Sequence, residues 1–427
     1  MQRSETGGFR VEANANGFDN LNAAPATLTR GQVRLVLFAL AMGGFAIGTT
    51  EFAAMSLLPY FAATFGITEP MAGHAISSYA LGVVVGAPVI AVLAAKWPRR
   101  KLLLALMACF AVFNVMTALS PNYGMMVVFR FLSGLPHGAY FGVAMLVAAS
   151  LVPPNARAQA ASRVLIGLTI ATIIGVPVAT WMGQALGWRV GFGIVGVLAL
   201  LTVLLVSIFV PRDEPIVGAS MMRELGALKR PQVWLTLGIG AIGFGGMFAV
   251  YSYLATTLVD VTHVEPGVVP IVLMVFGLGM TIGTFVAAWL ADRALMATAG
   301  GLLVWSAFWL AVFPFATGNI YAVSFVVFMI GCGGALGVPL QTRLMDVADD
   351  AQTLAASLNH SAFNTANAIG PWLGGLAISY GYGWSSTGWV GAVLAVGGMV
   401  FWVISVVTDP KHGQHVRRHL PQAAPGE

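Results

Sequence analysis

The run GGFAIGTTEFAAMSLLPYFAATFG, Gly43–Gly66, is apolar along its whole length except for one acid, Glu51. A helix crossing a bilayer needs about 20 predominantly apolar residues, and this run has them. A carboxylate at membrane depth costs about 3 kcal/mol on insertion scales, so its presence points to function. The comparable base is Arg130, in MMVVFRFLSGLPHGAYFG, Met125–Gly142. Every other Lys, Arg, Asp or Glu falls near an expected membrane boundary, in a loop or in a tail.

Working outward, the chain is 58% hydrophobic and 9% charged over 427 residues. A soluble domain is about 25% charged, so this is a polytopic membrane protein. Leu102–Phe129, Ala294–Thr342 and Ala351–Thr408 contain no Asp, Glu, Lys or Arg. The last two stretches are too long for one helix and hold two each. The turn sequences ATGNIY, Ala316–Tyr321, and YGYGWSS, Tyr380–Ser386, divide them.

Twelve spans are expected: 35–61, 72–95, 102–119, 123–150, 162–185, 190–210, 233–258, 267–290, 298–316, 320–342, 354–380 and 385–407. The basic residues favour one face. Arg34, Arg99, Arg100, Arg163, Arg212, Arg230, Arg293 and Arg343 flank it, while the other face has Arg189 with Glu69, Asp260 and Glu265. The positive-inside rule puts both termini in the cytoplasm. The net charge of +5 therefore reflects membrane topology and not nucleic-acid binding.

The expected organisation is a polar tail (1–31), a six-helix bundle (32–210), a charged cytoplasmic linker (211–232), a second six-helix bundle (233–407) and a second tail (408–427). An internal repeat supports the division. GLTIATIIGVPVATWMG around Gly175 resembles FNTANAIGPWLGGLA around Gly370, and AVLAAKWPRR at Ala91 resembles AWLADRALMA at Ala288. Such half-to-half symmetry is a transporter signature, with the substrate site near the midplane.

Glu51 and Arg130 lie at similar depth from the less basic face, about 13 Å by the helical rise. A pair there is reasonable, since a lone intramembrane charge finds a partner or water. It could be a static bridge that fixes packing, or a group that exchanges protons. Burial favours the neutral acid and a guanidinium favours the carboxylate, so such a group is tunable. His360, Asn364 and Asn367 share one helix face by their spacing. With His137, Tyr140, Tyr251 and Tyr253 they offer a neutral polar and aromatic cavity, suited to a small amphipathic ligand. Interhelical hydrogen bonding is the alternative role for each. Pro177 with Gly175, and Pro371 with Gly370, mark bent, close-packing helices expected to form a seam between the halves.

These stretches resemble the major facilitator superfamily over nearly the whole chain. GTTEFAAMSLLP (Gly48–Pro59), RFLSGLPHGAYFG (Arg130–Gly142), IGVPVATWMGQALGWR (Ile174–Arg189) and LNHSAFNTANAIGPWLGG (Leu358–Gly375) are similar to the twelve-helix drug:proton antiporters, near the arabinose-efflux and chloramphenicol-efflux permeases. The resemblance implies an all-α membrane fold of two pseudo-symmetric six-helix bundles. It implies that Arg130 aids proton transfer and that Gly175 and Pro177 belong to an exporter element. The family's loop between the second and third spans usually carries an Asp before its basic run; here Ala95 precedes Arg99 and Arg100. Asp292 and Arg293 keep an acid–base pair in the second half.

The expected function is export of small amphipathic compounds by alternating access, driven by the proton gradient, in the bacterial inner membrane. Export of sugars or other polar metabolites is the second reading. No cofactor or metal is expected; the partners are a small-molecule substrate, protons and lipid, and the working unit is a monomer. The absence of a P-loop, a G-x-S-x-G elbow or an H-E-x-x-H motif speaks against ATP-driven transport by this chain alone and against an enzyme.

Overall fold

The computed structural model describes residues 28–94, 96–153, 157–213, 226–348 and 352–409. Ala95, most of the expected linker, both tails, and Arg223, Lys411, Arg417 and Arg418 lie outside the described residues.

Among the described residues, ten helical segments are long and apolar enough to cross a membrane by length and composition. One of them, Pro266–Ala316, has 51 residues and is non-helical at Ala294 (φ −153°, ψ 75°), so it contains two crossings. Gln352–Ser379 is more polar but packs among the others as a 28-residue helix. Twelve spans result. They are α1 Arg30–Ser56, α2 His74–Leu93, α3 Arg99–Ala118, α4 Tyr123–Ser150, α5 Ser162–Leu186 and α6 Trp188–Phe209 in the first half. The second half has α7 Pro231–Val261, α8 (269–293), α9 (295–316), α10 Ile320–Ala348, α11 Gln352–Ser379 and α12 Thr387–Val407. The first helix begins at Arg30, two residues inside the expected tail, because Thr29 caps it. Its side chain accepts from Gln32 N at 3.3 Å, and Gln32 Oε1 accepts from Thr29 N at 2.9 Å, a capping box.

The remaining turns follow the same chemistry. Asn122 caps α4 through Met125 N, and Asn319 caps α10 through Tyr321 N and Ala322 N. Gly381 and Gly383 take φ of 86° and 77° in the turn before α12, a region glycine enters at little cost. The cap of α3 comes from elsewhere in the chain. Asp213, just past α6, accepts from Arg99 N at 2.6 Å and Arg100 N at 3.1 Å. An acid thus sits at the positive end of the α3 dipole, supplied by α6 instead of the loop. In the second half Asp409, just past α12, takes the equivalent place but pairs with Arg343 of α10 at 2.7 Å.

Helices approach closely where glycines leave no side chain. A Cβ on Gly134 of α4 would lie 2.1 Å from the Tyr79 carbonyl oxygen of α2. Backbones this close gain dispersion contacts that lipid cannot match.

The halves meet along α2–α11, α5–α8, α1–α7 and α4–α11. Hydrogen bonds join them at the depth of Glu51 and toward the less basic face. Ser77 Oγ donates to Ala368 O at 2.9 Å, Gln184 Nε2 donates to Pro266 O at 3.0 Å, and Thr256 Oγ1 donates to Glu69 Oε2. Residues 46–58 of the first half and 243–258 of the second are buried without interruption. Toward the basic face, Leu35, Phe38 and Trp234 are exposed on the outer surface of these helices. A surface depression of about 320 Å³ lies on the first half there, lined by Arg34, Leu37, Phe38, Ala41 and Arg163. The hydrogen bonds and the unbroken burial hold the halves together on the less basic face.

Candidate functional site

Glu51 lies in the continuously buried part of α1, 6% exposed. Its Oε1 accepts from Asn367 Nδ2 of α11 at 3.1 Å, so an amide of the second half holds the acid of the first. A donor to a carboxylate makes a charge-assisted bond, stronger than one between neutral groups. Arg130 is fully buried on α4. It donates through Nη1 to Thr50 Oγ1 at 3.2 Å, and Thr50 donates onward to Asn114 Oδ1 at 2.8 Å. Its guanidinium lies over the Tyr79 ring at 4.1 Å and faces Phe192 at 5.4 Å, cation–π contacts that partly offset burial. Arg130 Nε and Nη2 have no hydrogen-bond partner.

The expected direct pair is therefore not formed. Glu51 and Arg130 are not salt-bridged, because each takes a neutral partner: Asn367 for the acid, Thr50 for the base. They are close enough for their charges to interact. A static Glu51–Arg130 bridge is absent from this arrangement, and two unpaired guanidinium nitrogens remain beside the acid.

Next to Glu51 in α1, Phe52 packs against aromatic groups of the second half. Phe52 meets Tyr251 edge-on at 5.4 Å and Phe248 at 6.1 Å, and Tyr251 packs on Phe276 at 4.4 Å. The Tyr251 hydroxyl is buried and unpaired. The void beside it, walled by Met247, Leu254, Phe276 and Val327, has no room for water.

Of the other residues expected in the cavity, His137 and His360 approach each other across the halves, with rings 6.0 Å apart. Tyr79 Oη is 2.9 Å from His137 Nδ1, and His360 stacks on Phe141 at 4.9 Å. Asn364 donates to His360 O in its own helix. Tyr140 and Tyr253 are placed differently from that expectation. Each hydroxyl is spent on a carbonyl within its own half, Leu40 O and Pro371 O, both at 2.9 Å. Tyr140 ties helices of the first half together, while the Tyr253 hydroxyl also lies against Gly73 of the other half, toward the less basic face.

The glycine–proline elements also differ from expectation. Gly175 faces α1 of its own half, where a Cβ would lie 2.3 Å from Thr49 Oγ1. Gly370 faces α7 of its own half, where a Cβ would lie 2.3 Å from Gly245 O. The two are equivalent in the repeat, but neither forms the seam between halves. A π-turn at Ala171–Gly175 widens α5 just before Pro177, accommodating the missing N–H. The closest backbone approach of α5 to the other half lies one turn earlier, where Gly277 of α8 packs on the Thr172 backbone, and the contact continues to Gln184.

On the basic face, Arg293 stacks on Trp289 at 3.8 Å and donates to its carbonyl. It forms no ion pair with Asp292, which is exposed, so the acid and base kept side by side in the sequence are not bonded to each other. Arg100 instead reaches Ser207 O, and Arg99 and Arg100 anchor to Asp213 through their backbones. Thr50, Tyr79, Asn114, Asp213 and Asp409 are site or scaffold residues that the sequence reading passed over. The polar pair Thr49–Thr50 beside Glu51, and a lone amide in the apolar α3, were the available signals.

Two bundles of six helices related by a repeat enclose a polar centre between them. Residues 40–359 match the family described as the Major Facilitator Superfamily. This chain belongs to that superfamily. It is 38% identical over 365 residues to the inner membrane transport protein YdhP of Escherichia coli K12, covering 85% of this chain and 94% of that protein. It is 32% identical over 373 residues to a chloramphenicol resistance protein of Streptomyces lividans, covering 86% and 93%. A solved bacterial homolog of the human lysosomal transporter Spinster, inward-facing and unoccupied, superposes with a TM-score of 0.64 at 18% identity, covering 89% of this chain and 96% of that one. The protein is a multi-pass membrane transporter, not an enzyme.

The ties on the less basic face make a prediction. Thr256→Val combined with Gln184→Leu removes two hydrogen bonds between the halves, each worth about 1 kcal/mol net. The population open on that face should rise by roughly tenfold or more. Labelling of a cysteine placed at Tyr251 by an impermeant thiol reagent in intact cells measures this. Unchanged labelling would show that these bonds do not hold the face shut.

Proposed function

We propose that this transporter exports small amphipathic compounds against inward proton flow, by alternating access, with Glu51 as the coupling acid. The reading places it in the bacterial inner membrane, as a monomer, with the basic face and both termini in the cytoplasm. The observation that carries it is the buried carboxylate of Glu51, held across the halves by Asn367, with Phe52, the next residue of α1, packed into an aromatic cluster of the second half. A proton on Glu51 removes the charge that strengthens the Asn367 bond. The tie between the halves therefore depends on whether the acid is protonated, and transport and proton movement become linked. Arg130, with two free donors beside the acid, stabilises the ionised form as the halves part. One proton crossing roughly 150 mV releases about 3.5 kcal/mol. That sustains a gradient of about a few hundredfold for a neutral solute.

The wall favours amphipathic compounds over sugars, since Met247, Phe52, Phe248, Tyr251 and Phe276 outnumber the polar groups that sugar hydroxyls require. The likeness to a chloramphenicol resistance protein supports the same choice. The test is a susceptibility and uptake panel in a sensitive bacterial host, with and without an uncoupler. Expected is lowered accumulation of chloramphenicol or similar amphipathic drugs, abolished by the uncoupler. Lowered accumulation of sugars alone would support the second reading, and drug export indifferent to the uncoupler would remove proton coupling.

A further inference from the structure

Glu51 is buried, and a coupling acid must reach water on the side where it gives up its proton. Between Glu51 and the basic face, one side of α11 is polar in a way that packing does not explain. Asn367, which holds Glu51, is followed along the helix toward that face by Asn364 and then His360, three and four residues apart, so the three share a side. The stretch from Asn367 to His360 covers about 10 Å of helix. Along it Asn367 Oδ1, Asn364 Oδ1 and Ser361 Oγ are buried with no hydrogen-bond partner. Buried polar atoms nearly always have partners, and bound water supplies them where protein does not.

The end of this stripe meets a second histidine. His137 lies on α4, seven residues beyond Arg130 toward the basic face, with its ring 6.0 Å from that of His360. That separation is too long for a direct hydrogen bond and suits a bridging water. Tyr79 Oη fixes His137 through Nδ1. Phe141, stacked on His360 within 6° of parallel, fixes the other ring. The titratable and charged groups facing the pair are Tyr79 from α2, Arg130 from α4 and the two histidines themselves. No carboxylate is among these contacts, so nothing there traps a proton as a lasting ion pair.

We propose that the His137–His360 pair, one histidine from each half, relays the proton between Glu51 and water at the basic face. The proposal rests on Glu51 as the coupling acid. The Glu51 carboxyl gives its proton to water held by Asn367 and Asn364. His360 takes that proton on one ring nitrogen and gives the proton of its other ring nitrogen to the water it shares with His137, from which it passes to water at the basic face. Glu51 ends ionised, one proton has reached the basic face, and both rings return to neutral. Because the two histidines belong to different halves, the relay is continuous only while the halves meet at α4 and α11.

The test needs no substrate. The purified full chain in liposomes is given a pH jump on its basic face, and the infrared C=O band of the protonated Glu51 carboxyl is followed in time. Glu51→Gln identifies the band by its absence. His360→Phe should slow the change of that band about tenfold or more, with His137→Gln giving a smaller slowing. His360→Gln, which keeps hydrogen bonding but cannot carry a proton through the ring, serves if the phenylalanine variant does not fold. Wild-type rates in both His360 variants would overturn the relay. A Glu51 band that does not respond to pH in the wild type would instead remove Glu51 as the coupling acid.

Discussion

Glu51→Gln should abolish proton-driven efflux while leaving substrate exchange intact. The glutamine amide has nearly the volume of the carboxyl, and its oxygen can still accept from Asn367, so the tie between α1 and α11 survives in neutral form. What is lost is the ability to change charge, and with it the dependence of that tie on pH. In liposomes the gradient formed under an imposed pH difference should fall from about a few hundredfold to none, since about 3.5 kcal/mol of driving force is no longer coupled. Counterflow, which needs only alternating access, should persist. The fold should survive, because the amide keeps the Asn367 bond and Arg130 keeps Thr50 and the Tyr79 ring as partners. A variant that still concentrates substrate under a pH gradient would show that another group couples.

The second large effect separates two kinds of glycine. Gly175→Leu should prevent the first half from folding, because even its Cβ would lie 2.3 Å from Thr49 Oγ1 and 3.1 Å from the Phe45 ring. Overpacking typically costs 1–3 kcal/mol, and a leucine in this position should exceed about 3 kcal/mol. Gly277→Leu meets the Thr172 backbone of the other half, with its Cβ 2.7 Å away. Its expected result is a protein that folds but whose halves cannot close together at α5–α8, so that transport is lost at normal expression. Thermal melts in detergent and transport in liposomes distinguish the two. A Gly175→Leu protein that melts like wild type but fails to transport would move the seam back to Gly175.

Much of the architecture was legible in the chain because a bilayer imposes a strong rule on composition. Twelve spans, their boundaries to within a few residues and the two-fold repeat all follow from where charge is excluded and where turn residues interrupt it. The break between α8 and α9 at Ala294 and the turn through Gly381 and Gly383 fall where those signals placed them. Facing was harder to read. Glycine content marks a helix for close packing, but nothing along the chain says which neighbour approaches. Gly175 and Gly370 were therefore assigned to the boundary between halves when they face α1 and α7 of their own halves.

The polar centre divides in the same way. Glu51 and Arg130 stand out in sequence because a charge in an apolar run is costly wherever the helix ends up. Their partners are set only by packing. Whether Arg130 bonds Glu51 or Thr50, and whether an amide from 316 residues away takes the acid instead, depends on rotation and offset of packed helices by a few ångströms. Tyr140 and Tyr253 show the same limit, since a tyrosine suited to a cavity is equally suited to a carbonyl one helix away. Asp213 shows it at the membrane edge, where the acid expected in one loop is supplied by the end of α6. Hydrophobic burial is set by composition along the chain and so decides the number, length and repeat of the helices. Hydrogen bonds are directional and act over about 3 Å, so the pairing of each polar group is settled only when the helices pack.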